Sequence, residues 1–348
     1  MSSNYNNSIV LRNRGSVLGN VYCSNIDISR SNILSSVVIA EIGDLHLEKM
    51  EMVGKENVEL VSQAIEYNGA EIILISGDVV NDASDLKNPI FCERLREIIK
   101  KLANGRLVII QIGNHDITTY DRESRCWKEM DSSLLKEALS PLSNVLFLDE
   151  VNNLYLKANQ KIAQLGYEGL THTNLNFVGL DLPWDYYFEK KENYVLFKML
   201  LEEKFSNNPF VEDAFNILDI HTIVNFILFC NIYPYAFKDI DLTVGVHHHG
   251  GLIPAGLERV IPGDWGIIAP NMKILPPNQR GIYLFDKESA VDKNNKLICS
   301  VGNSVNVRVE MPFINNLRIY GPSVRFIRLD EKKAKGKVKV NHTTLKFR

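Results

Sequence analysis

Short runs of near-continuous Ile, Val and Leu recur along the chain at 37–42, 72–75, 107–112, 176–180, 216–220 and 242–246. Runs of this length without polar alternation predict strands buried on both faces. Between the first three, 57–67 carries Val58, Leu60, Val61, Ala64 and Ile65 at helical spacing and stops before Asn68-Gly69. A second helix is predicted over 89–102, with Ile90, Phe91, Leu95, Ile98 and Ile99 on one side and Gly105 beyond its end. This β-α-β-α-β order requires a sheet that is at least partly parallel. Segments 134–142 and 194–205 read as further helices, and 222–237 as a buried helix or a helix followed by a loop. From residue 281 the pattern changes to short strands, at 281–285, 296–301, 305–309 and 324–329, with turn residues between them.

Neither an internal repeat nor a long linker interrupts this order. The economical division is a polar N-terminal extension over 1–34, with a hairpin through 9–12 and 20–23, one catalytic domain over 35–330, and a basic tail over 331–348. The tail holds seven cations, Lys332, Lys333, Lys335, Lys337, Lys339, Lys346 and Arg348, against the single acid Glu331. Because the whole chain has a formal net charge of -3, the body is acidic, which disfavours a general nucleic-acid binder. A solvated segment is the ordinary reading of such a tail, and binding to anionic lipid, as a peripheral membrane contact, or to nucleic acid its sharper alternative.

Five scattered cysteines without a Cys-x-x-Cys pair give neither a disulfide framework nor a thiolate zinc site, and they fit a reducing, cytoplasmic compartment. The most apolar stretch, 223–237, is interrupted by Asn225, Asn231 and Pro234 and is too short to span a bilayer, so no transmembrane segment is expected. Its aromatic residues, Phe226, Phe229, Tyr233, Tyr235 and Phe237, read as core rather than as a lipid-facing lip.

The chemistry sits at the ends of the apolar runs. They lead into Gly43-Asp44-Leu45-His46, Gly77-Asp78, Gly113-Asn114-His115-Asp116, His221, and His247-His248-His249. Polar residues thrown off the carboxyl ends of adjacent buried strands converge on one crevice. Two carboxylates, one amide oxygen and four imidazoles make a mixed set of hard and borderline donors that suits Mn, Fe, Zn or Co. Seven ligands exceed one ion's needs and fit two ions sharing a carboxylate.

In order and spacing, Asp44-x-His46, Gly77-Asp78-x-x-Asn81, Gly113-Asn114-His115-Asp116, His221 and His247-x-His249 resemble the calcineurin-like metallophosphoesterases. That resemblance implies an α/β fold, a four-layer α-β-β-α sandwich with two mixed β-sheets, and a dinuclear metal centre at the strand ends. It places Asp44, His46, Asp78 and His249 on the first metal. Asp78 as bridge, Asn114, His221 and His247 hold the second, and manganese is the first expectation for both. Within the family, 216–221 and 241–251 look most like the bacterial UDP-2,3-diacylglucosamine pyrophosphatase branch. The chain departs from that branch at Val246 for a glycine, at Thr222-Ile223 for a proline after the histidine, and at Ser323 for an acidic residue.

The expected reaction is hydrolysis of a phosphodiester or pyrophosphate bond in a small molecule or lipid headgroup, by in-line attack of a metal-bridging hydroxide. His115, beside a ligand yet outside the ligand set, is placed to protonate the leaving group, with Asp116 to orient it. Two rivals stand beside this reading: a nuclease of the same superfamily, and a non-catalytic scaffold with the same fold. Asn81 and Asp82 read as shaping the turn after Asp78, His248 as a solvated neighbour pointing away, and His172 and His342 as exposed.

Overall fold

The structure is a computed structural model that describes residues 16–18, 21–30, 33, 35–48, 55–121, 123–150, 152–159, 173–183, 187, 193–232, 237–249, 265–267, 274–275, 278–286, 296–302, 304–306 and 322–331. In chain order the first half runs β1 (Ser16–Leu18), β2 (Val21–Arg30), β3 (Val37–Ile42), α1 (Lys55–Tyr67), β4 (Ile72–Ser76), α2 (Pro89–Ala103), β5 (Leu107–Gln111), β6 (Thr118–Asp121), β7 (Cys126–Glu129), α3 (Ser133–Leu139) and β8 (Val145–Phe147). The second half runs β9 (Leu154–Leu156), β10 (Leu175–Gly179), α4 (Asn193–Phe205), β11 (Phe215–Asp219), α5 (Val224–Ile232), β12 (Leu242–Gly245), β13 (Gly281–Asp286), β14 (Lys296–Val301) and β15 (Ser323–Glu331).

Two mixed sheets form, in the orders β1-β2-β15-β3-β4-β5-β8 and β13-β14-β12-β11-β10-β9. Strands β4, β5, β10 and β11 are buried at every position, which is why their sequences lack polar alternation. Alternate side chains sort into separate apolar layers. Ile73, Ile75, Val108 and Ile110 face α1, α2 and α3, whereas Ile72, Leu74, Leu107 and Ile109 meet Phe177, Phe215, Ile217 and Val244 of the other sheet. Leu218, Cys299 and Val301 pack under α4 and α5 with Phe197, Phe226 and Phe229. Helices therefore cover both outer faces, giving the α-β-β-α sandwich.

Local chemistry sets the helix limits. At the start of α2, the Asn88 side chain accepts from the backbone N–H groups of Ile90 and Phe91, and Pro89 occupies the first turn. Asn104, at φ 43°, ends the helix in the left-handed conformation.

Two segments differ from the sequence expectation, and others lie outside the described residues. Val21–Arg30, part of the polar extension, is a ten-residue strand that pairs in parallel with β15 from Ser323↔Tyr22 to Glu331↔Arg30. It also forms a hairpin with β1, whereas residues 9–12 lie outside the described set. Of the strand expected at 305–309, residues 305 and 306 run as a loop whose N–H groups donate to the carbonyls of Gly43 and Asp44. The basic residues of the tail from Lys332 onward, with His172 and His342, lie outside the described residues.

Candidate metal centre

β3, β4 and β5 of one sheet and β11 and β12 of the other all end at the same place, and each delivers polar residues there. The chain turns sharply as it leaves these strands. Asp44, His46, Asp78, His247 and His249 all adopt positive φ, between 42° and 58°. Non-glycine residues reach this region at a cost of about 1–2 kcal/mol each, and such strain concentrates at functional sites. Gly77, at φ +97°, relieves the turn before Asp78, and a Cβ there would collide with the His221 ring. Gly113 is equally confined, because a Cβ would strike the Asp78 backbone nitrogen and carboxylate.

These turns bring seven donors together. The Asp78 Oδ2 lies 3.1 Å from His221 Nε2 and 3.9 Å from His46 Nε2. His221 Nε2 is also 3.2 Å from Asn114 Oδ1 and 3.2 Å from His247 Nδ1. Asp44 sits 3.4 Å from His249 Nδ1 through Oδ2 and 3.9 Å from His221 Nε2 through Oδ1. Ligands held about 2.1 Å from one tetrahedral ion are about 3.4 Å from each other, so the spacing matches donors around cations.

Three triads, each with its donor atoms within 4.8 Å of one another, share members: Asp44-His46-His249, His46-Asp78-His115 and Asp78-His221-His247. Both ring nitrogens of His46 and Oδ1 of Asp44 are buried without a hydrogen-bond partner. Buried polar groups are normally paired, so these lone pairs fit a cation. The donor set of imidazoles, carboxylates and one amide suits borderline divalent metals.

The electrostatics agree. Burial disfavours the charged form of His46, His247 and His249 and lowers their pKa, which keeps the imidazoles neutral. Burial pushes Asp78 upward, but His221 and His115 beside it prevail and hold it well below the usual carboxylate range. Burial likewise opposes charge on His221, yet Asp78 prevails and raises it to about 9. Neutral His46, His247 and His249 beside an ionised Asp78 match the protonation state that metal binding requires, whereas His221 holds a proton that a cation would have to displace.

His115 lies at the rim, its ring 4.8 Å from that of His46. Its Nδ1 is 2.8 Å from the Asn81 carbonyl oxygen and its backbone N–H donates to Asp78 Oδ1. The Asp116 carboxylate instead accepts from the backbone N–H groups of Val80 and Gly113, tying together the loops that carry Asp78 and Asn114. Asn81 and Asp82 do shape the turn after Asp78: Asn81 bonds Glu48, and Asp82 caps the following helical turn through Ser84 N–H. His248 is not solvated. It is 2 % exposed, its Nε2 is 3.1 Å from Thr222 Oγ1, and it belongs to none of the triads.

Two aromatic residues beside the site carry no signal in the motif pattern. The buried Tyr187 ring packs 5.2 Å from that of His247 and 5.7 Å from that of His221. Trp127, on β7, stands edge-on to His115 with ring centroids 5.3 Å apart.

A four-layer α/β sandwich with interlocked Asp and His triads at its strand ends defines a metal-site protein of the phosphoesterase type. The profile of the Calcineurin-like phosphoesterase family matches residues 37–250, and the chain belongs to that family. No curated protein sequence matches it. Among solved structures, NAD nucleotidase of Haemophilus influenzae aligns at 12% identity and TM-score 0.40 over 78% of this chain and 45% of its own. A purple acid phosphatase from yellow lupin (Lupinus luteus) seeds aligns at 10% identity and TM-score 0.36, over 89% and 56%. A dimetal phosphatase from Danio rerio aligns at 9% identity and TM-score 0.33, over 77% and 88%. The chain thus spans about half the length of the first two.

Proposed function

We propose that the chain is a dimetal hydrolase of phosphate esters, cleaving a phosphodiester or pyrophosphate bond in a small molecule or lipid headgroup. The carrying observation is the set of interlocked triads with the orphaned lone pairs of His46 and Asp44. Asp44, His46, Asp78 and His249 would hold one divalent ion, and Asp78, Asn114, His221 and His247 the other, with manganese the first choice. Such ions acidify bound water and neutralise charge on phosphoryl oxygens.

The remaining work falls to the chain itself. His115 is oriented by the Asn81 carbonyl, which accepts a hydrogen bond from its Nδ1–H and leaves Nε2 as the position from which a proton reaches the departing oxygen. Asp116 acts one step back, fixing the loops after β4 and β5 so that Asp78 and Asn114 keep their spacing. The unit that does this takes in β1 and β2, because β2 lies between β1 and β15 in the first sheet. The pyrophosphatase branch named above supplies the first substrates to try. The five cysteines are free, as a reducing cytoplasm would keep them, and no helix among the described residues is long and apolar enough to cross a membrane.

The test is hydrolysis of bis(4-nitrophenyl) phosphate by the full chain loaded with Mn, Fe, Zn or Co. Turnover that Asp78→Ala abolishes supports the reading. Inertness of the unsubstituted chain with every metal overturns it and favours a scaffold without catalysis.

A further inference from the structure

Beside His115 stands a hairpin that belongs to neither large sheet. Among the described residues β6 and β7 pair only with each other, in the register Thr118↔Glu129, Thr119↔Lys128, Tyr120↔Trp127 and Asp121↔Cys126. Directly opposed residues share a face, so Tyr120 and Trp127 lie together, and the Asp121–Lys128 ion pair lies on the other face. The aromatic face is the one turned to the site, since Trp127 packs edge-on against His115 and Tyr120 packs 5.4 Å beyond it. His46, His115, Trp127 and Tyr120 therefore form a row of rings running outward from the metal ligands, and Tyr120 at its end is 40% exposed.

A two-stranded hairpin alone is marginally stable. This one is held at its base: Met130 N–H donates to the Ile117 carbonyl, Thr118 Oγ1 to the Asn114 carbonyl, and Tyr120 N–H to Asp82 Oδ2 at 3.4 Å. All three anchors lie next to ligand-bearing loops. The aromatic wall is thus fixed relative to the reacting centre rather than free to swing.

Resting on the reading of His115 as the group that protonates the departing oxygen, we propose that Tyr120 and Trp127 form the leaving-group subsite and select a nucleoside. The leaving oxygen must lie at His115, so whatever it carries extends past that residue toward the wall. Trp127 lies against His115 and the exposed Tyr120 stands a further 5.4 Å out, so the row matches a group that carries a flat ring outward on a spacer, and a nucleobase on its furanose is the biological group of that shape. Aromatic faces hold bases by offset or edge contacts without reading their identity, so the subsite favours nucleosides as a class.

The experiment compares thymidine 5′-(methyl phosphate) with its abasic 1,2-dideoxyribose counterpart, which shares the leaving oxygen and lacks only the base. The unsubstituted enzyme is expected to favour the nucleoside by about tenfold in kcat/KM, from one stacking contact. Trp127→Leu, which keeps apolar bulk without a π face, should bring the ratio close to one, and Trp127→Phe should restore most of it. A ratio that survives Trp127→Leu, or equal slowing of both esters, overturns the subsite and leaves Trp127 only as a brace for His115. Hydrolysis of bis(4-nitrophenyl) phosphate by the same preparations separates this outcome from failure of the metal site itself.

Discussion

The Nδ1 of His221, at the end of one sheet, donates to the carbonyl oxygen of Ser76, at the end of the other, across 2.6 Å. This bond fixes the ring and directs Nε2 toward Asp78, Asn114 and His247. Metal-binding histidines characteristically donate their second nitrogen to a carbonyl or carboxylate in this way. A cation binding at Nε2 displaces the proton that Asp78 otherwise stabilises there.

His221→Ala should therefore lower bound metal from two ions per chain to one, read by elemental analysis after gel filtration. Loss of an outer partner alone costs about 10–100-fold, so loss of this ligand should cost at least about 100-fold in activity. Two ions retained in the variant would remove His221 from the ligand set.

His115→Asn separates catalysis from metal binding. Both ions should stay bound while kcat falls by about 10²–10⁴ for an alkyl alcohol leaving group, and by much less for 4-nitrophenolate, which departs without a proton. The His46-Asp78-His115 triad supplies the competing outcome. If His115→Asn sheds an ion, the residue is a ligand instead.

The candidate site was legible in the sequence because each proposed ligand closely follows a buried strand, and a buried strand announces itself by its own residues. Of β2 only the start was legible, as the hairpin strand expected at 20–23; beyond it Ser24, Asn25 and Asp27 break the apolar pattern, and the partner that makes it a long strand, β15, lies some three hundred residues away. The hairpin of β6 and β7 escaped for a related reason: its short polar strands pair with each other, and only folding sets Trp127 against His115. His248 was read as solvated from its place in a polar run. Left-handed turns at His247 and His249 on either side send it inward to Thr222.

Asp116 was expected to orient His115, yet its two oxygens face Val80 N–H and Gly113 N–H. Asp116→Ala leaves two buried donors unpaired, at about 1–3 kcal/mol each. The chelated protein should lose about 2–5 kcal/mol in urea unfolding, and Asp116→Asn, which retains one acceptor, should lose less. A change below about 0.5 kcal/mol, the range of ordinary surface substitutions, would show that the clamp carries no weight.

Behind the ligands, the strands turn polar on the faces that meet between the sheets. Glu41, Ser76, Gln111, Asp219 and Ser300 are all buried there, one layer below the metal site. Arg325 is in register with Glu41 across β15 and β3, with its Nη1 3.8 Å from Glu41 Oε2, and it also donates to the Val301 carbonyl. Burial raises the Glu41 pKa from its ordinary value of 4.5 to about 7, against the pull of Arg325. The unfolded chain gives up this proton at lower pH than the folded one, so Glu41 withdraws stability as pH rises from 4.5 to about 7, and the loss is complete above that range. At about 1.4 kcal/mol per tenfold change, the full effect is about 3 kcal/mol. Glu41→Gln removes the titration and keeps an oxygen toward Arg325. Urea unfolding of the chelated protein should then show the variant gaining about 3 kcal/mol on the unsubstituted chain between pH 4.5 and 8. A difference that stays flat over this interval would mean that Glu41 is already ionised in the folded protein at pH 4.5.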